Sequence, residues 1–140
     1  MLATDDAEIV EAYRGFGWSL GLAFQLNDDL LGIWGDEELT GKEPSDLAKH
    51  KKTLPLIYAL EKARPADGRR LRELLAASEL TVSEQAEARV ILERSGAREY
   101  TRNEAHKQRD EAISRIEAAG IVQGEALERL RLIVVSAISA

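Results

Sequence analysis

Phe24-Gln25-Leu26-Asn27-Asp28-Asp29-Leu30-Leu31-Gly32-Ile33-Trp34-Gly35-Asp36 closes the most regular helical pattern in the chain and sets two adjacent carboxylates on it. Upstream, Ile9, Val10, Tyr13, Phe16, Gly17, Leu20, Gly21 and Phe24 recur at spacings of three and four, the period of a helix with one apolar face. These residues predict one long helix from about Asp5 to about Trp34. Its interior glycines, Gly15, Gly17, Gly21 and Gly32, each cost about 1 kcal/mol against alanine where exposed. Retaining them implies close helix packing or close approach of a ligand.

Beyond Trp34 the pattern breaks. Gly35 to Pro44 reads as a loop, with Gly41 and Pro44 as breakers. Ser45 or Asp46 caps a short turn, and Thr53-Leu54-Pro55 opens a helix to about Ala63, with Pro55 in the first turn where its missing N–H does no harm. Ala66-Asp67-Gly68 restarts a helix through Leu71, Leu74 and Leu75. Thr81 with Glu84 is a capping-box pattern, opening a helix that stops near Ser95-Gly96. Ala97 to Ala119 forms another, ended by Gly120, and the last runs from about Gln123 to Ile138. No period-two alternation is sustained anywhere, so the expected class is all-α.

Composition agrees. A chain of 140 residues suffices for one compact core. Its 44% hydrophobic and 31% charged fractions suit a soluble globular protein. The net charge of -6 argues against a general nucleic-acid binder. Without cysteine there are no disulfides, thiolate metal sites or cysteine nucleophiles, in keeping with a cytoplasmic chain. Met1-Leu2-Ala3-Thr4-Asp5-Asp6 is acidic where a secretory signal would be basic. The apolar run from Leu132 to Ile138 is far short of the roughly 20 residues that span a bilayer.

The chemistry concentrates between residues 24 and 52. Residues three and four apart on a helix share a face, so Gln25, Asp28, Asp29 and position 32 are expected to line one stripe. Magnesium takes a few carboxylate oxygens, keeps several waters and accepts phosphate oxygens, and adjacent carboxylates repel unless a cation or water intervenes. Lys42, Lys49, Lys51 and Lys52, with His50, then crowd behind a glycine turn, and lysine ammonium groups bind phosphate as point charges. Such a site eases the departure of diphosphate from an allylic carbon by meeting its developing charge. Singly, an Asp pair on a helix is most often a solvated face and a Lys pair a surface feature. Their ordered combination separates this segment from either. His50 and His106 read as surface residues.

Taken in order, Phe24-Gln25, Asp28-Asp29, Gly35-Asp36, Thr40-Gly41-Lys42, Asp46 and Lys51 resemble the second aspartate-rich region of the trans-polyprenyl diphosphate synthases. Glu93 to Tyr100 and Glu111-Ala112 resemble that family's carboxy-terminal helices, so the likeness covers nearly the whole chain. It implies a partial class I isoprenoid-synthase bundle, usually homodimeric, that joins an allylic diphosphate to isopentenyl diphosphate with Mg2+. Carried over, the implied metal ligands are Asp28 and Asp29. Gln25, Lys42 and Lys51 become the substrate-binding residues, and Asp28, Asp29 and Lys42 the catalytic candidates.

Two departures stand out. The motif's third aspartate is Gly32 here, with Asp36 one turn further on as partial compensation unless Gly35 ends the helix first. The family's first aspartate-rich motif has no counterpart, since Asp5-Asp6 reads as a helix cap. The expected chain is thus a carboxy-terminal half, inactive by itself in prenyl transfer. Its expected partners are a second copy or a complementary amino-terminal half. The rival reading is a non-catalytic helical association module. A terpene cyclase of the same fold fits less well, because the Thr-Gly-Lys and lysine-rich loop resembles chain-elongating enzymes.

Overall fold

The computed structural model describes residues 2–40 and 44–140. Among these residues there is no strand. The helices run α1 (Leu2–Trp34), α2 (Glu37–Thr40), α3 (Leu54–Lys62), α4 (Pro65–Ala76), α5 (Val82–Arg94), α6 (Ala97–Ala118) and α7 (Gly124–Ala137). The expected all-α class is what the chain adopts.

The helix ends follow local chemistry. Thr81 and Glu84 form the capping box: the Thr81 hydroxyl accepts the Glu84 N–H at 3.2 Å, and the Glu84 carboxylate accepts the Thr81 N–H at 2.8 Å. Gly96, at φ 80°, separates α5 from α6, and Gly120, at φ 65°, follows the end of α6. Three boundaries depart from expectation. α1 begins at Leu2, so Asp5 and Asp6 lie inside it instead of capping it. α4 begins at Pro65, one residue early. The expected Gly35–Pro44 loop contains α2, whose first turn is closed by Asp36 Oδ1 accepting the Glu38 N–H at 3.0 Å.

Two compact units make up the chain. One comprises Leu26–Asn103 with Ala140. Here α3, α4 and α5 pack on one another around Leu56, Ala59, Leu71, Leu74, Ala88, Ile91 and Leu92, joined by Ile33 from α1 and Leu47 from the loop. Burying each large aliphatic side chain is worth about 1.5–3 kcal/mol. Tyr58 and Tyr100 stack with centroids 4.3 Å apart, and the Arg98 guanidinium lies 5.4 Å from the Trp34 ring centre. Arg89 donates to the Ile33 carbonyl at 3.0 Å, fixing the end of α1.

The other unit comprises the chain up to Gln25 together with Glu104–Ser139. Its buried positions are mostly small or aliphatic: Gly15, Ser19, Ala23, Ala105, Ala112, Ile113, Ile116, Val134 and Ile138. A Cβ at Gly15 would meet the Arg115 guanidinium at 2.6 Å, so this glycine does mark a close approach. Gly17 and Gly21 instead face open space. On the same helix Ile9, Val10, Tyr13, Trp18, Leu22 and Phe24 are exposed, Trp18 to 71%. Leu132 and Ile133 on α7 are exposed as well.

Candidate functional site

Asp28 and Asp29 stand near the end of α1, and the helix separates their roles. Consecutive residues are turned about 100° from each other. The Asp28 side chain is 68% exposed and that of Asp29 only 8%. The two carboxylates of the expected stripe thus differ in exposure. Asp28 faces outward, while Asp29 turns in toward α3, where its Oδ2 accepts the Leu54 N–H at 3.2 Å. Thr53 occupies the cap position of α3 but makes no side-chain cap bond. Asp29 acts as the cap from a distance.

The loop from Ser45 delivers the cation. The Lys49 N–H donates to Ser45 O at 3.0 Å, the His50 N–H to Leu47 O at 3.1 Å, and the Lys51 N–H to Asp46 O at 3.0 Å. This tight turn, with His50 in the left-handed region at φ 49°, returns Lys51 beside Asp46. Leu47, 3% exposed, anchors the turn in the core.

Three carboxylates meet at the Lys51 ammonium. Its Nζ lies 3.3 Å from Asp46 Oδ2, 3.5 Å from Asp28 Oδ2 and 3.8 Å from Asp29 Oδ1. Burial pulls this ammonium down. The hydrogen bond to Asp46 and the charges of Asp46, Asp29 and Asp28 outweigh that effect, so Lys51 titrates above its ordinary value. At neutral pH it is charged. Three carboxylates thus share the one ammonium of Lys51.

Hard carboxylate oxygens with Asp28 open to solvent suit a hard divalent cation, since Mg2+ is commonly held by one or two carboxylates plus water and phosphate. Among the described residues no group of three or more acidic or imidazole side chains forms a ready metal cage. The carboxylates gather around Lys51 instead. The lysine serves as their internal counter-ion.

The other expected residues differ in exposure. Gln25 is exposed and belongs to the other compact unit. Lys42 lies outside the described residues. Lys49 and Lys52 are exposed, and His50 is half-buried. Asp36 lies beyond Gly35 and the end of α1, and its Oδ1 accepts the Glu38 N–H at α2. Asp46, legible as a motif position and a turn cap, has a role at Lys51 that sequence reasoning missed.

Comparison with known proteins follows the same residues. Residues 1–92 match the family described as polyprenyl synthetase. The chain is 38% identical over 133 residues to the (2E,6E)-farnesyl diphosphate synthase of Mycobacterium tuberculosis, covering 91% of this chain and 37% of that protein. Among solved structures, it is similar to a polyprenyl synthase from Caulobacter crescentus complexed with calcium and isoprenyl diphosphate, at TM-score 0.84 and 31% identity. That match covers 96% of this chain and 40% of the other. It is similar also to the polyprenyl synthetase of Streptomyces coelicolor, at TM-score 0.80 and 35% identity over 91% of this chain and 40% of that one. The chain thus spans well under half the length of these relatives. Among the described residues no helix is long and apolar enough to cross a membrane.

Proposed function

The chain belongs to the polyprenyl synthetase family, and from that membership we propose that it is the carboxy-terminal half of a prenyltransferase. The complete enzyme joins an allylic diphosphate to isopentenyl diphosphate. This half contributes the second metal and diphosphate site. The observation that carries the reading is the convergence of Asp28, Asp29 and Asp46 on Lys51, at 3.3–3.8 Å.

Each residue has a distinct task. Asp28, exposed on α1, is the carboxylate that reaches a metal bound from solvent. Asp29 fixes the start of α3 and so holds the loop that carries Lys51. Lys51 would hold phosphate oxygens of a bound diphosphate, with Lys42 as a second cationic contact. By the family resemblance, Gln25 is the residue assigned to the allylic group. A divalent cation at Asp28 would supply positive charge against the diphosphate as it leaves the allylic carbon.

Titration calorimetry with pyrophosphate, with and without Mg2+, tests the site. The parent should bind only in the presence of Mg2+, and Asp28→Ala and Lys42→Ala should lose that binding. Equal binding by parent and variants would remove the assignment.

A second reading, a helical association module, draws support from the exposed apolar residues of α1, Trp18 foremost. Both readings call for a partner over that surface, a second copy or a complementary amino-terminal half. Mixing separates them. An added amino-terminal half bearing the first aspartate-rich region should restore prenyl transfer if this chain is a working component, and should not if it only associates.

A further inference from the structure

Asn27, the residue just before the carboxylate pair, is buried and meets the segment that follows α7. Its Oδ1 accepts the Ala140 N–H at 3.0 Å, across 113 residues of sequence. Arg102, on α6, donates from Nε to the Ala140 carbonyl at 3.1 Å, so both backbone groups of Ala140 are held. Ala140 accordingly groups with Leu26–Asn103, whereas Glu104–Ser139 forms part of the other unit. Within that other unit Ile138 is fully buried, and its carbonyl accepts from Arg109 Nη1 at 3.3 Å. Residues 138–140 are thus tied at both ends and not left to solvent.

We propose that residues 138–140 form a strap whose socket is the Asn27 side chain, and that Asn27 is a positioning residue for the end of α1. The last turns of a helix open at low free energy unless something outside the helix holds them. Arg89 grips the Ile33 carbonyl on one side of the carboxylate pair, and the strap grips Asn27 on the other. Consecutive helical residues are turned about 100° from one another, so a twist of α1 at Asn27 would move both carboxylates together. Asp28 would leave Lys51, 3.5 Å away, and Asp29 would leave the Leu54 N–H, 3.2 Å away. Asparagine suits the socket because its amide oxygen accepts without adding a third charge beside the pair. The strap stands on these contacts alone, while its bearing on diphosphate binding rests on the function proposed above.

The test is amide hydrogen exchange, read residue by residue in the full chain, in variants that break either side of the bond. Asn27→Ala removes the acceptor, and Ala140→Pro removes the donor without altering α1. Each should speed exchange at residues 28–34 about two- to ten-fold, the worth of one hydrogen bond, and leave the α5 amides unchanged. The double variant should exchange no faster than Asn27→Ala alone, because both changes break the same bond. Unaltered exchange at 28–34 in Ala140→Pro, or effects that multiply in the double variant, would overturn the strap. Equal acceleration in α5 would do so too, since it would mark a general loss of stability with no local hold. Pyrophosphate binding in Mg2+, measured on the same variants, should weaken by a similar factor. Parent-like binding beside faster exchange would overturn the positioning role of Asn27. A parent that binds no pyrophosphate would remove the function proposed above and leave exchange to decide the strap.

Discussion

Asp29 Oδ2 accepts the Leu54 N–H at 3.2 Å across 25 residues of sequence, so the end of α1 closes the first turn of α3. An N-cap removed to alanine costs about 0.5–2 kcal/mol. Asp29→Ala is expected to destabilise the chain by about that amount, and Asp29→Asn, which retains an acceptor, by less. Asp28→Ala, at an exposed position, should stay within about 0.5 kcal/mol of the parent while losing Mg2+-dependent pyrophosphate binding. Urea unfolding beside calorimetry checks both. Equal destabilisation by the two alanine variants would contradict the division of roles.

Lys51→Met leaves Asp28, Asp29 and Asp46 facing one another without their counter-ion. Lys51 is 41% exposed, so solvent limits the effect to about 1 kcal/mol. The variant should melt below the parent in chelator and regain much of the loss in excess Mg2+, which neutralises the same carboxylates. Melting curves that are indifferent to Mg2+ in the variant would argue that no cation enters here.

The Thr81 N–H and hydroxyl hold the Glu84 carboxyl below its ordinary value. A carboxyl with a lowered folded value stabilises the protein fully above its unfolded value, about 4.3, and ceases to as pH falls through the folded one. The stability gap between parent and Glu84→Ala should therefore be constant near neutrality and close as the pH drops through the lowered folded value. Chemical unfolding across that range measures it. A gap that persists in acid would mean that the capping box is not the source.

Leu71, fully buried among α3, α4 and α5, is expected to cost about 3 kcal/mol as Leu71→Ala. Leu132→Ala, at a side chain 70% exposed, should cost about 0.5 kcal/mol or less. Denaturant midpoints compare the two directly. Similar losses would show that α7 is covered in solution by a second molecule.

The helix ends that proved legible were those written in neighbouring residues. Thr81 with Glu84, Pro55 in a first turn and Gly120 past a last turn each act within a few positions. α2 was not legible, since four residues are too few to show a period and its cap is Asp36, a residue with a rival reading at the metal site. The carboxylate pair was legible as a pair but not as two roles. Which of Asp28 and Asp29 turns inward depends on where the Leu54 N–H arrives, and that is set by tertiary packing. Asp46 was hidden for the same reason, because its carboxylate reaches Gly32 only after the Ser45–Lys51 turn has folded back.

The bond from the Asp46 N–H to the Gly32 carbonyl also gives the intervening segment a neck. The chain leaves α1 and returns to it at nearly the same point, and the Leu47 side chain holds the return in place. Lengthening a segment closed at its neck costs only loop-closure entropy, about 0.6 kcal/mol for each doubling. Insertions or deletions between Asp36 and Pro44 are thus insulated from the position of Lys51. A change of length there would move Lys42 along the chain while leaving Lys51 in place, and the spacing from Asp46 to Leu54 has no such freedom.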